Sequence, residues 1–247
     1  MLCRSVRIVV CVLLLGQCGG QFMFKFRERP MMSAPIPFPA CRADNIDCLR
    51  RGLRTFFILM DMGLAGMKAV DPTIVDSVAI ASPEEQMSVL LRRANVTGAR
   101  WTKLGDRRFN LDGGKSGTVF ISDLHVSGDI SLTMGGRVDP FSAHITMDIM
   151  EVQSNITYPW SGEKGIDNED YILIGPERIA IRNTRTPTFF LQPNDEDTAV
   201  INELLLARPA ILDHLSNEIT AALMHTIVDN FRLFASKVPV KYYYEYY

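Results

Sequence analysis

Side chains that do chemistry are scarce in this sequence. Four histidines and five cysteines occur in 247 residues, and neither a His-Glu-x-x-His nor a Gly-x-Ser-x-Gly segment is present, so the common zinc-protease and nucleophile-elbow signatures are missing. His214 and His225 share a helical face, but their separation of eleven positions, at a rise of about 1.5 Å each, sets them about 16 Å apart. That is too far to share a metal. His125 and His144 are dispersed elsewhere, and a hydrolase would need a Ser or Cys within reach of one of the four. Gly113-Gly114-Lys115-Ser116-Gly117 hints at a phosphate loop, yet it lacks the leading glycine and opens a strand, so it reads as a hairpin turn. The acids at 195–197 are explained by helix capping and not by a metal. No metal, cofactor or catalytic residue is expected. The formal net charge is −2 with no run of Lys or Arg, which argues against nucleic acid and against anionic membrane surfaces. Beyond the N-terminal segment no stretch is long and apolar enough to span a bilayer.

Most of the cysteines sit in one place. Arg4 and Arg7 precede the apolar run Ile8–Leu15, and small or polar residues follow to Gly20. Residues 1–20 therefore read as a signal peptide, too short in its apolar core to act as a stable membrane anchor. Removing it takes away Cys3, Cys11 and Cys18 and leaves Cys41 and Cys48, an even count suited to a disulfide in an oxidising compartment. The bridge closes a small loop, so its stabilisation is modest; its expected role is to pin the proline-rich arm before Cys41 against the next helix. A secreted, extracellular location follows, and Asn95-Val96-Thr97 and Asn155-Ile156-Thr157 become candidate glycan sites at Asn95 and Asn155.

The remaining chain, about 227 residues long, carries 24 basic residues once Arg4 and Arg7 are set aside from 26, against 28 acidic ones, or −4. An apolar content of 47% is too high for disorder. Residues 21–35 read as an extended or mobile arm, with Pro30 and Pro35 excluding helix. From Asp47 to Met67 apolar residues recur at steps of three and four (Leu49, Leu53, Phe56, Phe57, Met60, Leu64), with Arg50, Arg51 and Arg54 opposite. After the Asp71-Pro72 break, Thr73–Ile80 reads as a strand. From Met87 to Leu191 the period becomes two. Ser88–Leu91, Val96–Leu104, Thr118–Leu124, Ile130–Met134, Ala143–Val152, Tyr171–Ile174 and Arg178–Ile181 read as strands punctuated by glycines, among them Gly98, Gly128 and Gly162. This is the pattern of an antiparallel meander. After Pro193 the chain turns helical: 194–197 supply an N-cap, Pro209 restarts the helix, and Ile211, Leu215, Ile219, Leu223, Ile227, Phe231 and Phe234 form a stripe ending before Pro239. The tail Lys241–Tyr247 is tyrosine-rich, and no role follows from its composition.

One α+β layout satisfies these elements. A highly curved antiparallel sheet wraps the long C-terminal helix, and the shorter N-terminal helix covers one end. Residues 36–240 form a single domain, and incomplete filling of its core leaves an apolar tunnel.

The chain resembles the juvenile-hormone-binding/takeout family of insects. The matching pieces are Pro39-Ala40-Cys41…Cys48-Leu49, the Asp71-Pro72 break, Asn95-Val96-Thr97-Gly98 leading to Trp101, Asn202-Glu203, the Arg208-Pro209 step and the closing helix to Pro239. It departs from the family pattern at Asp129, where an aromatic is usual, and over Val138–Ala143, and it lacks a second cysteine pair. These departures point to the broader takeout-like group. The resemblance implies a helix-wrap, lipid-binding sleeve carrying a terpenoid, juvenile-hormone-like or fatty ligand without catalysis. Candidate tunnel residues are Leu53, Phe56, Phe57 and Met60 on the first helix, Trp101, Phe120 and Phe141 in the sheet region, and Ile211, Leu215, Ile219, Leu223 and Phe231 on the last helix. The expected partner is a small apolar ligand, with an unidentified protein receptor as a second. The rival reading keeps the fold but fills the tunnel, giving an extracellular interaction or structural protein.

Overall fold

The structure is a computed structural model and describes residues 38–110 and 114–245. The signal-peptide reading at 1–20, the arm at 21–35 and the turn glycine Gly113 lie outside the described residues.

The elements run α1 (Ile46–Asp61), β1 (Thr73–Ser82), β2 (Met87–Thr97), β3 (Lys103–Asn110), β4 (Lys115–Met134), β5 (Phe141–Lys164), β6 (Asp170–Ile174), β7 (Arg178–Arg182), β8 (Thr188–Gln192), α2 (Glu196–Leu206) and α3 (Pro209–Ala235). All strands pair antiparallel in the order β1-β2-β4-β5-β6, with β3 on β4, and β7 and β8 also on β5. Two long strands are the spine. One half of β4 pairs with β3 and the other with β2, and β5 pairs along its free side with β8, β7 and β6 in turn.

These long strands correct the sequence reading at several points. Gly128 lies inside β4, and a Cβ there would stand 3.0 Å from Ala94 Cα on β2. It is a close-approach glycine and not a turn. Gly162 likewise lies within β5. Gly98, named among the punctuating glycines yet included in the strand Val96–Leu104, breaks that strand: at φ 96° it ends β2, and the short 3-10 turn Ala99–Trp101 follows before β3. Its backbone is held by Asp71, whose carboxylate accepts from Gly98 N at 3.2 Å and Arg100 N at 3.0 Å. β8 escaped sequence reading altogether.

Three register shifts interrupt the sheet; one lies in the β3–β4 pair between Leu104 and Asp106, and two bend the central strands. The β2–β4 register shifts between Arg92 and Asn95, and the β4–β5 register between Ser122 and Leu124. A positive-φ residue marks each, Arg93 at 48° and Glu151 at 52°. Extra residues of this kind increase local twist and curl a sheet. The curl is visible in what α3 touches: it packs on β1 at one edge of the sheet and on β6 and β7 at the other. Alternation then sorts the strands. Ile145, Met147 and Ile149 are buried, whereas His144, Thr146 and Asp148 face outward.

Helix boundaries follow side-chain chemistry. Asn45 caps α1 by accepting from Cys48 N at 3.0 Å, Asp195 caps α2 by accepting from Thr198 N at 2.8 Å, and Pro209 opens α3. The hydrogen bond donated by the Thr198 N–H holds the Asp195 carboxyl below its ordinary range. Ile211, Leu215, Ile219, Leu223, Ile227 and Phe234 of α3 are all buried, with Leu212, Met224 and Val228 widening the face.

Two polar anchors fix the C-terminal half of this rod. Asn230, 2% exposed, accepts from Lys68 N at 2.9 Å and donates to Lys68 O at 2.8 Å. Arg232 donates to Ile174 O and Gly175 O, each at 3.1 Å, and pairs with Glu177, which also meets His225 at 2.6 Å. Burial alone would raise the Glu177 carboxyl, but His225 and Arg232 outweigh it and hold the group below its ordinary range.

Two stability effects are expected. Asn230→Leu leaves the half-buried Lys68 amide and carbonyl without their partner and should cost about 1–3 kcal/mol in urea denaturation. Glu177→Gln should cost about 1–3 kcal/mol at neutral pH. Because the folded Glu177 carboxyl is lowered, its contribution is full above the unfolded value of about 4.3 and is lost as pH falls through the folded one. The difference between wild type and variant should therefore shrink below about pH 4.

Candidate ligand-binding site

The C-terminal end of α3 is aromatic where the rest is aliphatic. Phe231 stacks on Phe56 of α1 with ring centres 4.0 Å apart. Phe234 meets Phe56 at 5.5 Å, Phe38 at 5.6 Å and Tyr243 at 5.4 Å. Flat rings cannot interdigitate as tightly as branched aliphatics, and Gly52 contributes no side chain where Phe38 leans toward α1. A hollow of about 80 Å³ results. α1 supplies Leu49 and Leu53 to its wall, the sheet supplies Leu104, Thr118, Phe120 and Ile156, and α3 supplies Val228 and Phe231. Ile172 and Ile174 of β6 close one side, and Tyr158 and Trp160 of β5 another.

The tyrosine tail belongs to this site. Cys41 N donates to Tyr243 O at 3.1 Å and Glu245 N donates to Cys41 O at 3.0 Å, which lays the tail parallel to residue 41. Tyr243 and Tyr244 thereby become wall residues. The Cys41–Cys48 disulfide ties the same point to the first turn of α1, so the bridge holds the tail paired with residue 41 against that helix. Lys241 pairs with Glu169 outside, and the short helical turn Val240–Tyr242 aims the rings inward.

Among the described residues one charged side chain lines the hollow. Arg107 of β3 sits directly opposite Thr118 in the ladder, and its guanidinium carbon lies 5.5 Å from the centre of the Tyr244 ring. Burial works against its charge, but Tyr244, Tyr158 and Tyr243 more than offset this and hold the group above its ordinary range.

Of the residues singled out in the sequence, Leu53, Phe56, Phe120 and Phe231 line this hollow. Phe57, Met60, Leu215, Ile219 and Leu223 are buried in the packed core. Ile211 borders a second hollow of about 370 Å³ between the β1–β2 hairpin and the start of α3, together with Met87 and His214. Phe141 is buried beside Leu132, on which it pairs. Trp101 is 66% exposed, because the Gly98 turn swings it out of the sheet. Most of the wall escaped sequence reading, including Tyr158 and Trp160 of β5 and Ile172 and Ile174 of β6; the least legible were Arg107, whose Gly-Asp-Arg-Arg context looks like a polar loop, and Tyr243 and Tyr244, whose biased tail carries no periodicity.

The histidines are less scattered than their spacing suggests. Register brings His125 opposite Asp148 and Asp129 opposite His144. Ser127 Oγ lies 2.9 Å from His144 Nε2, and His144 Nδ1 lies 3.2 Å from Asp129 Oδ1. His144 and Arg93 hold the Asp129 carboxyl below its ordinary range. The set lies on the outward face, neither hollow borders it, and at Ser127 both flanks of β4 are paired. The backbone of Ser127 is thus engaged in the ladder on both sides. Among the described residues no group of three His, Cys, Asp or Glu could hold a metal, and no helix is long and apolar enough to cross a membrane. Asn95 and Asn155 are both exposed.

No protein-family model matches the chain, and no curated protein matches it in sequence. Among solved structures it is similar to Takeout 1 of Epiphyas postvittana, with a TM-score of 0.71 and 14% identity over 84% of this chain and 100% of that one. This chain has the Takeout fold. The resemblance read from the sequence is thus met at the level of architecture. A lipopolysaccharide binding protein also aligns, at a TM-score of 0.43 and 9% identity over 79% of this chain and 39% of its own, too weakly to carry any inference.

If the tail is a structural wall, Tyr243→Ala should destabilise the protein by about 2–4 kcal/mol, as loss of a buried aromatic does. Tyr242→Ala, at a 43% exposed ring, should change stability by no more than about 0.5 kcal/mol. Equal, small effects in urea denaturation would place the tail outside the domain.

Proposed function

We propose that this protein is a secreted, glycosylated, non-catalytic carrier of a small apolar ligand, held at the aromatic end of the sleeve. The observation that carries this reading is a hollow walled by α1, α3, four strands and the tail, with nearly every wall residue apolar or aromatic. Such a surface offers burial and no reacting groups. Removing about 300–400 Å² of ligand from water gives about 8–10 kcal/mol before association costs, enough for micromolar binding. The hollow of about 80 Å³ is below the roughly 300–1,000 Å³ of ordinary ligand pockets. Entry of a terpenoid or fatty chain therefore requires side chains to move. The small volume also favours the rival reading, an extracellular interaction protein whose sleeve is filled.

Binding of N-phenyl-1-naphthylamine, a neutral apolar fluorophore, to delipidated protein separates the two. A carrier should bind it at micromolar concentration, and Leu53→Trp, which fills the hollow, should weaken binding at least about tenfold, the equivalent of 1.4 kcal/mol. Absence of binding by the wild type would establish the filled sleeve.

A further inference from the structure

Trp101, swung out of the sheet, does not stand alone on the surface. Ile58 and Met62, four residues apart on α1, are 57% and 72% exposed and lie on one side of that helix, opposite the Leu49, Leu53 and Phe56 side that lines the hollow. The turn Ala99–Trp101 packs on α1. Arg100 fixes it there by reaching Asp61 of α1 at 3.1 Å and Asp71 at 3.3 Å. Large exposed apolar side chains gathered in this way mark an interaction surface. The charge around them is one-sided once its pairs are set aside. Asp47 is matched by Arg50 at 3.0 Å, and Asp61 and Asp71 by Arg100. Arg51 and Arg54 on the exposed side of α1, and Lys103 just after Trp101, are exposed, and among the described residues no carboxylate pairs with them. The sequence shows no basic run because a helical turn and a strand start, and not adjacency in the chain, assemble these three cations.

We propose that this face docks the protein reversibly on an anionic phospholipid surface, with Trp101, Ile58 and Met62 entering the interfacial layer and Arg51, Arg54 and Lys103 lying against the phosphates. An indole suits that layer, since its ring is apolar and its N–H is polar. Guanidinium forks match phosphate oxygens, and surplus cations beside an apolar tip complement a negatively charged lipid sheet. This is docking and not anchoring. Ile74, exposed nearby, is left out of the surface because it pairs with Asn95 in the ladder, the side that a glycan would cover. The inference deepens the carrier reading without needing it. α1 stands between this face and the hollow, and a helix is about 10 Å across, so a docked protein holds its apolar cavity next to lipid.

Co-sedimentation with phosphatidylcholine vesicles containing about 30% phosphatidylserine tests this on the full chain. The protein should bind them, and raising NaCl from about 0.1 M to about 0.5 M should weaken binding at least about tenfold. Each surplus cation is expected to contribute about fivefold, so Arg51→Gln with Arg54→Gln should weaken binding at least about tenfold. Dibrominated phosphatidylcholine should quench the indole fluorescence on docking, and Trp101→Phe should remove that quenching. These positions are exposed, so the variants should unfold in urea as the wild type does. Absence of vesicle binding overturns the proposal and leaves the face to a protein partner or a second copy. Binding unchanged in the double variant, with quenching retained in Trp101→Phe, places docking elsewhere and overturns it too. Equal binding to pure phosphatidylcholine vesicles overturns the part assigned to the cations. N-phenyl-1-naphthylamine binding in the absence of lipid tests the carrier reading separately, so failure of one is distinguishable from failure of the other.

Discussion

A single amphipathic rod with too much apolar surface governs this molecule. α3 buries residues on a face wide enough to leave little of its length for solvent, and a helix of that kind needs cover on more than one side. A flat sheet gives cover along one line only. Here the two bulges at Arg93 and Glu151 bend the spine strands until β1 and β6–β7 both reach the helix. The alternation of β4 and β5 then supplies an oily inner face and a wet outer one without further specification. Curvature of the sheet and width of the helical stripe are thus two statements of one requirement.

The place where this cover is least complete is also where the chain spends its covalent and polar restraints. The disulfide, the cap at Asn45, the Asn230 clamp on Lys68, the Arg232–Glu177 pair and the tail all act on the last three turns of α3 or on the layer over them. Branched aliphatics fill the middle of the sleeve unaided. Stacked aromatics do not close-pack, and an end built from Phe38, Phe56, Phe231 and Phe234 holds its shape only if its neighbours are tied. Rigid ties around a loosely filled end preserve a cavity that would otherwise collapse.

What could be read from residues alone divides along the same physical line. Periodicity reports burial of regular elements, so the α1 face, the α3 stripe, the Pro209 restart and the inward set Ile145, Met147 and Ile149 were all legible, as was the curved-sheet architecture that joins them. Gly128 misled because a glycine that lets two strands approach looks the same in sequence as one that turns the chain. Val96–Leu104 ran together because the Gly98 turn depends on Asp71, 27 residues away. The site was legible only in part. Leu53, Phe56, Phe120 and Phe231 could be named as inward-facing, but nothing local distinguishes them from Leu215 or Ile219, since a hollow is a failure of packing among residues far apart in the chain. Arg107, Tyr243 and Tyr244 lay in segments without a period. The same holds for Ser127, His144 and Asp129, which register alone brings together.

That a chain 14% identical to Takeout 1 shares its fold over 84% of its length follows from what the architecture demands. Two long alternating strands, bulges at two points, a wide stripe on one rod and a clamp at its end are conditions on pattern. Each can be met by many residue combinations, because branched and aromatic side chains exchange within a core at modest cost so long as volume is kept. Sequence comparison counts identities and loses the relation; superposition measures the pattern and retains it. The corollary concerns selectivity. If the frame constrains mainly hydrophobicity and period, a wall position can change its chemistry without disturbing the fold wherever its strand is paired on one side only. β3 is such a strand, bonded to β4 alone, and it is the one that carries Arg107. The charge stands on the part of the sleeve that architecture constrains least.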